Sequence, residues 1–153
     1  MKKIKFKKNE ILNIQKNRFP YLMIDYATEV LPGKHSKGYK ILPEGEWFFN
    51  VHWEDDPNMP GMLQIEAMVQ MSSLAILSLP GNSGKILYLL SANNLKFHKK
   101  VLPKSKLFLE TKILDFKRGI ANCKGRAFVA KSLVSEADFR LVLPDELFKY
   151  KKS

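Results

Sequence analysis

A chain of 153 residues, 45% apolar and 27% charged, has the size and make-up of one globular domain with its own core. No apolar run approaches the roughly 18 residues a membrane helix needs, and the basic start MKKIKFKKNE leads into Asn9, Glu10, Asn13, Gln15 and Lys16, not a signal-peptide core, so a cytoplasmic location is the default. The single Cys123 excludes an internal disulfide, and with only His35, His52 and His98 as partners neither a metal site nor a cofactor is expected. The net charge of +11 has three readings: a solvated lysine-rich surface, a face for an acidic protein, or nucleic-acid binding. No recognition-helix, zinc-finger or RNP-type pattern accompanies it, so nucleic acid is not expected.

Residues 1–8 form a candidate flexible basic arm, and Asn9–Gln15 a short helix with Asn9 as cap. Arg18-Phe19-Pro20 ends that helix, because a residue before proline avoids the α region. Tyr21–Leu31 reads as a strand, closed by Pro32-Gly33-Lys34. Lys37–Leu42 and Glu46–Asn50 read as a second strand interrupted at Pro43-Glu44-Gly45, which delivers the chain to His52. Pro60-Gly61 is a loop-to-helix junction, followed by a helix over Met62–Leu79. Pro80–Gly84 breaks it. Strand candidates then follow at Lys85–Phe97, Lys106–Phe116, Ile120–Val129 and Leu133–Leu143, with a tight turn at Lys117-Arg118-Gly119 and another near 130–132. Pro144 ends the domain, leaving 144–153 as a basic tail with room for a helical turn. One buried helix needs a sheet wrapped around it. The expected class is therefore α+β, a single domain over residues 9–143 with a long apolar helix against a curved antiparallel sheet.

The helix is where the chemistry concentrates. From Met62 to Leu79 its only polar residues are Gln, Glu and Ser, with no Lys or Arg, so it is expected to be buried nearly all round. Glu66 and Gln70 are four apart and share a face. Glu66 is either solvated at a helix edge or buried, and if buried it must be hydrogen-bonded, paired or protonated. His52 lies 14 residues before it, across Pro57 and Pro60-Gly61.

This string, His52…Pro60-Gly61…Glu66-Ala67-Met68-Val69-Gln70, resembles the signature of the 3-hydroxyacyl-[acyl-carrier-protein] dehydratases of the FabZ type. Arg18-Phe19-Pro20-Tyr21-Leu22-Met23-Ile24-Asp25 is similar to that family's opening segment, Leu95-Lys96-Phe97 with Val101-Leu102-Pro103 to a later stretch, and Gly125–Ala137 to its last hairpin. The resemblance covers residues 16 to 143. One departure is local: the family's Gly-His-Phe-Pro-Gly is Val51-His52-Trp53-Glu54-Asp55 here, which puts a β-branched residue before the histidine and three carboxylates, Glu54, Asp55 and Asp56, after it. Carboxylates near His52 in space would favour imidazolium, a handicap for a base.

The resemblance implies a hotdog fold, and loss of water from a 3-hydroxyacyl thioester, in fatty-acid or related lipid or polyketide synthesis, with no cofactor. On that basis His52 is the expected base and Glu66 the expected acid for the leaving hydroxyl. The Gly61 N–H polarises the thioester carbonyl. Gln70 either orients Glu66 or is satisfied against backbone. Phe49, Trp53, Met62 and Met68 either line an acyl tunnel or are plain core. The family further implies acidic acyl carrier protein as partner, and a homodimer or trimer of dimers whose sites take histidine from one subunit and glutamate from the other. Two alternatives stay open: a hotdog thioesterase, and a non-catalytic partner subunit or acyl-binding module.

Overall fold

The structure, a computed structural model, describes residues 1–151; Lys152 and Ser153, the end of the expected basic tail, lie outside the described residues. Its central element is helix α3, Gly61–Leu77. Every residue from Gln64 to Leu77 is buried except Glu66. Helix propensity is high along it, and the hydroxyls of Ser72 and Ser73 are satisfied by donating back to the Val69 carbonyl at 2.9 and 2.8 Å.

Around α3 curls one seven-stranded antiparallel sheet. In chain order its strands are β1 Ile4–Phe6, β2 Tyr26–Leu31, β3 His35–Leu42, β4 Tyr88–Phe97, β5 Ser105–Lys117, β6 Ile120–Val129 and β7 Ser132–Val142. Their spatial order is β1-β2-β3-β5-β6-β7-β4, so β1 and β4 are the edges. The alternation is clear in β5, where Leu107, Leu109, Thr111 and Ile113 are buried and Lys106, Phe108 and Lys112 face solvent. Two glycines let the helix approach the strands. A Cβ on Gly38 of β3 would lie 2.6 Å from the Met71 side chain and closer still to the Tyr26 carbonyl oxygen, and one on Gly125 of β6 would lie 2.9 Å from Met68.

Several sequence expectations need correction. Ile4–Phe6, inside the expected arm, pairs with β2. Helix α1 runs Lys8–Ile14 with Lys7 at its N-cap, so Asn9 is inside the helix; Glu10 accepts from the Lys7 backbone N–H at 2.7 Å. The strand expected from Tyr21 starts only at Tyr26. Glu46–Asn50 is no strand: Trp47–His52 forms helix α2. Its aromatic residues suggested β propensity, but Phe48 and Phe49 are consecutive and both buried, which a two-sided strand at the sheet margin cannot provide. Beyond β7, Pro144–Tyr150 forms helix α4 with proline in its first turn.

The start of α2 is fixed by a buried cation. Lys40 of β3 is 5% exposed, and its Nζ lies 2.9 Å from Glu46 Oε1 and 3.9 Å from Asp25 Oδ2. Asp25 also accepts from the Ile41 N–H at 2.8 Å. The cluster joins the segment before β2, strand β3 and the residue that caps α2. Removing the cation leaves Glu46 unpaired in a poorly hydrated site, while Asp25 keeps Lys8 at 3.0 Å, so Lys40→Met is expected to cost about 3 kcal/mol in denaturant unfolding. A loss within 0.5 kcal/mol would mean that the cluster is solvated in solution.

Candidate active site

His52 is the last residue of α2, not a loop residue, and Val51 before it is helical, so the β-branched side chain is accommodated without positive φ. Its Nδ1 lies 3.0 Å from the Asn58 carbonyl oxygen. A carbonyl can only accept, so Nδ1 carries a proton, and in the neutral ring Nε2 is then the nitrogen with the lone pair. The imidazole stacks on Trp53 with ring centroids 4.4 Å apart and planes at 16°. The segment that holds His52 is itself pinned, because the Met59 N–H donates to the Val101 carbonyl at 2.8 Å. Of the nearby carboxylates, Asp56 is engaged by Lys100 at 2.6 Å.

A surface groove of roughly 490 Å³ opens beside the ring, lined by His52, Trp53, Asn58, Met59, Gly61, Met62, Gln64, Phe97 and His98, with Lys99 and Lys100. Gly61 stands at the N-terminus of α3, where backbone N–H groups and the helix dipole favour developing negative charge. A Cβ at this position would lie 2.6 Å from the Phe97 ring, so glycine is required for Phe97 to close over it. Of the four candidate tunnel residues, Trp53 and Met62 line the groove. Phe49 and Met68 do not: they are 1% and 0% exposed, Phe49 stacked edge-on against Phe48 and Met68 against Gly125, and both belong to the core.

Glu66 is partly buried and lies away from that groove, so one chain does not bring it into the site of His52. Its Oε1 accepts from Gln70 Nε2 at 3.0 Å. Burial pushes its carboxyl above the ordinary range, against the Gln70 hydrogen bond, which favours the ionised form. Tyr21 is nearby: its hydroxyl is pushed up first by burial and then by the Glu66 carboxylate. Gln70 makes contacts of both kinds, to Glu66 and to backbone. While Nε2 donates to Glu66 it also donates to the Tyr21 carbonyl at 2.8 Å, and Oε1 accepts from the Met23 N–H at 2.7 Å. Gln64 and Phe97 were missed as site residues. Gln64 carried the same signal as Glu66, a polar residue in an apolar helix; for Phe97 nothing in the sequence indicated a partner at Gly61.

A single enclosed helix, an antiparallel sheet around it and a polar site at its N-terminus define the hotdog class. The same fold is seen in the dehydratase heterocomplex ApeI:P from Xenorhabdus doucetiae, with TM-score 0.74 at 13% identity over 94% of this chain and 97% of that one. An uncharacterised protein from Pyrococcus horikoshii shares it, with TM-score 0.64 at 14% identity over 94% of this chain and 95% of that one. Residues 16–138 match the FabA-like domain family, and the chain belongs to it. Among curated relatives it is similar to 3-hydroxyacyl-[acyl-carrier-protein] dehydratases FabZ: 41% identical to that of Clostridium botulinum over 88% of this chain and 94% of the relative, and 33% identical to that of Moorella thermoacetica over 91% and 97%.

The raised Glu66 pKa has a stability consequence. Below about 4.5, its ordinary value, folded and unfolded chains both hold the proton. As pH rises past that value the unfolded chain ionises first, and stability is lost until the folded carboxyl ionises too. Glutamine is neutral throughout. Glu66→Gln is therefore expected to raise Tm at neutral pH, with the gain vanishing as pH falls below 4.5; a gain independent of pH would show that desolvation of the carboxylate is not its origin.

Proposed function

We propose that this chain removes water from a 3-hydroxyacyl thioester held on acyl carrier protein, giving the trans-2-enoyl thioester. The observation that carries the reading is the fixed tautomer of His52, which presents a free Nε2 to a groove that ends at the N-terminus of α3. Nε2 takes the proton from C2, and the C–H electron pair becomes the C2–C3 double bond as the C3–O bond breaks. The Gly61 N–H receives the charge that develops on the thioester oxygen. Glu66, whose carboxyl burial pushes above the ordinary range, gives its proton to the departing hydroxyl, which leaves as water. The proton on His52 and the charge on Glu66 then recombine through solvent.

Because Glu66 is outside the His52 groove of its own chain, the proposal includes a homodimer in which each site draws its acid from the partner subunit. The exposed edge strand β4 supports it. Tyr88, Leu89, Leu90, Leu95 and Phe97 are each between 37% and 56% exposed there, an apolar edge of the kind that pairs with another chain. Assembly of such dimers into a trimer of dimers has no separate support. Lys99 and Lys100 on the groove rim offer charge to an acidic carrier protein. Among the described residues no helix is long and apolar enough to cross a membrane, and no cluster of three His, Cys, Asp or Glu could hold a metal. The cytoplasmic part of the proposal rests on the single buried free Cys123, which suits a reducing compartment.

The test is hydration of a crotonyl thioester on acyl carrier protein, followed by loss of its enoyl absorbance. Wild type should turn over, with His52→Ala and Glu66→Gln each slower by about 10²–10⁴. Wild type that binds the carrier yet is inert over several acyl lengths would replace the enzyme with a binding subunit, and release of free thiol would indicate a thioesterase.

A further inference from the structure

The geometry points to Gln64 as a substrate-binding residue that accepts a hydrogen bond from the 3-hydroxyl of the acyl chain. This rests on the dehydratase reading and adds to it a group that tells a hydroxylated acyl chain from a saturated one. Gln64 lines the His52 groove and is 3% exposed. Its Nε2 donates to the Met59 carbonyl at 3.1 Å. That carbonyl can only accept, so the amide cannot be flipped, and Oε1 is the atom left over. Oε1 is buried and has no hydrogen-bond partner among the described residues. A desolvated acceptor left unmatched destabilises the site, and a donor on the ligand removes that cost.

The placement suits that donor. Two successive carbonyls hold the two side chains: Asn58 takes Nδ1 of His52, and Met59 takes Nε2 of Gln64. One pinned dipeptide therefore sets the base and the amide relative to each other. Gly61 and Gln64 are three apart on α3 and so sit side by side on its surface. A thioester whose carbonyl lies at Gly61 and whose C2 lies at His52 carries its 3-hydroxyl one carbon further on. That hydroxyl has one donor and two acceptor positions. Its oxygen accepts the proton of the partner subunit's Glu66, and its own hydrogen needs an acceptor, which Oε1 of Gln64 provides. The hydrogen stays with the departing water; Gln64 exchanges no proton and forms no covalent bond.

The experiment measures binding without turnover. In a His52→Ala background, affinities for 3-hydroxybutyryl- and butyryl-acyl carrier protein are compared with and without Gln64→Leu. The preference for the hydroxylated ligand should fall by about three- to tenfold, in part because the saturated ligand no longer leaves a buried acceptor unmatched. An unchanged preference, or equal weakening of both ligands, overturns the inference. If Gln64→Leu does not fold, Gln64→Met keeps the unbranched shape and is expected to lose the preference likewise. Wild-type hydration of the crotonyl thioester separates the two readings: turnover with an unchanged preference removes Gln64 alone. An inert wild type whose preference still depends on Gln64 removes the enzyme and leaves a hydroxyacyl-binding site.

Discussion

A helix without a polar face cannot rest on one side of a sheet; it has to be enclosed. Helix α3 is buried from Gln64 to Leu77 except at Glu66, and the architecture answers that demand. Strands β2, β3, β5, β6 and β7 pack along it, which requires strong curvature and close approach between helix and strand backbones. Gly38 and Gly125 provide the approach, facing Met71 and Met68 across gaps that a methyl group would fill. Dense packing of this kind leaves little freedom for the helix to shift, so groups placed along it are held in position.

The same enclosure explains the chemistry of the polar residues on the helix. A carboxyl in this setting holds its proton to higher pH, and an amide must find backbone partners. Those partners come from irregular segments that flank the helix, not from the sheet: Tyr21 and Met23 for Gln70, and Met59 for Gln64. The candidate site is thus built where regular structure stops, with free carbonyls and N–H groups to hold side chains. The pairing of His52 with Asn58 belongs to the same pattern.

The enclosed helix, the antiparallel strands and the pairing of Glu66 with Gln70 were legible in the sequence, because composition, turn residues and a spacing of four report directly on local geometry. Other features were not. Glu46–Asn50 looked like a strand since its aromatic residues favour β structure, and only the burial of both Phe48 and Phe49 together with the Lys40 cluster selects the helix Trp47–His52. The β1 strand was hidden by Lys5 within it and the lysines on either side, on an edge where charge is tolerated. Phe49 and Met68 have the composition of a tunnel lining and the position of a core, a difference that depends on the neighbours each meets only in the folded chain, Phe48 for Phe49 and Gly125 for Met68.

In the proposed homodimer an acid on an enclosed helix serves a base in the other subunit. Coexpression of the His52→Ala and Glu66→Gln chains, with crotonyl thioester hydration measured on the mixed dimers, tests this. Activity that neither variant has alone is expected, because one site in each mixed dimer keeps both residues. If the two variants are folded and demonstrably paired yet the mixture stays inactive, the composite site is contradicted.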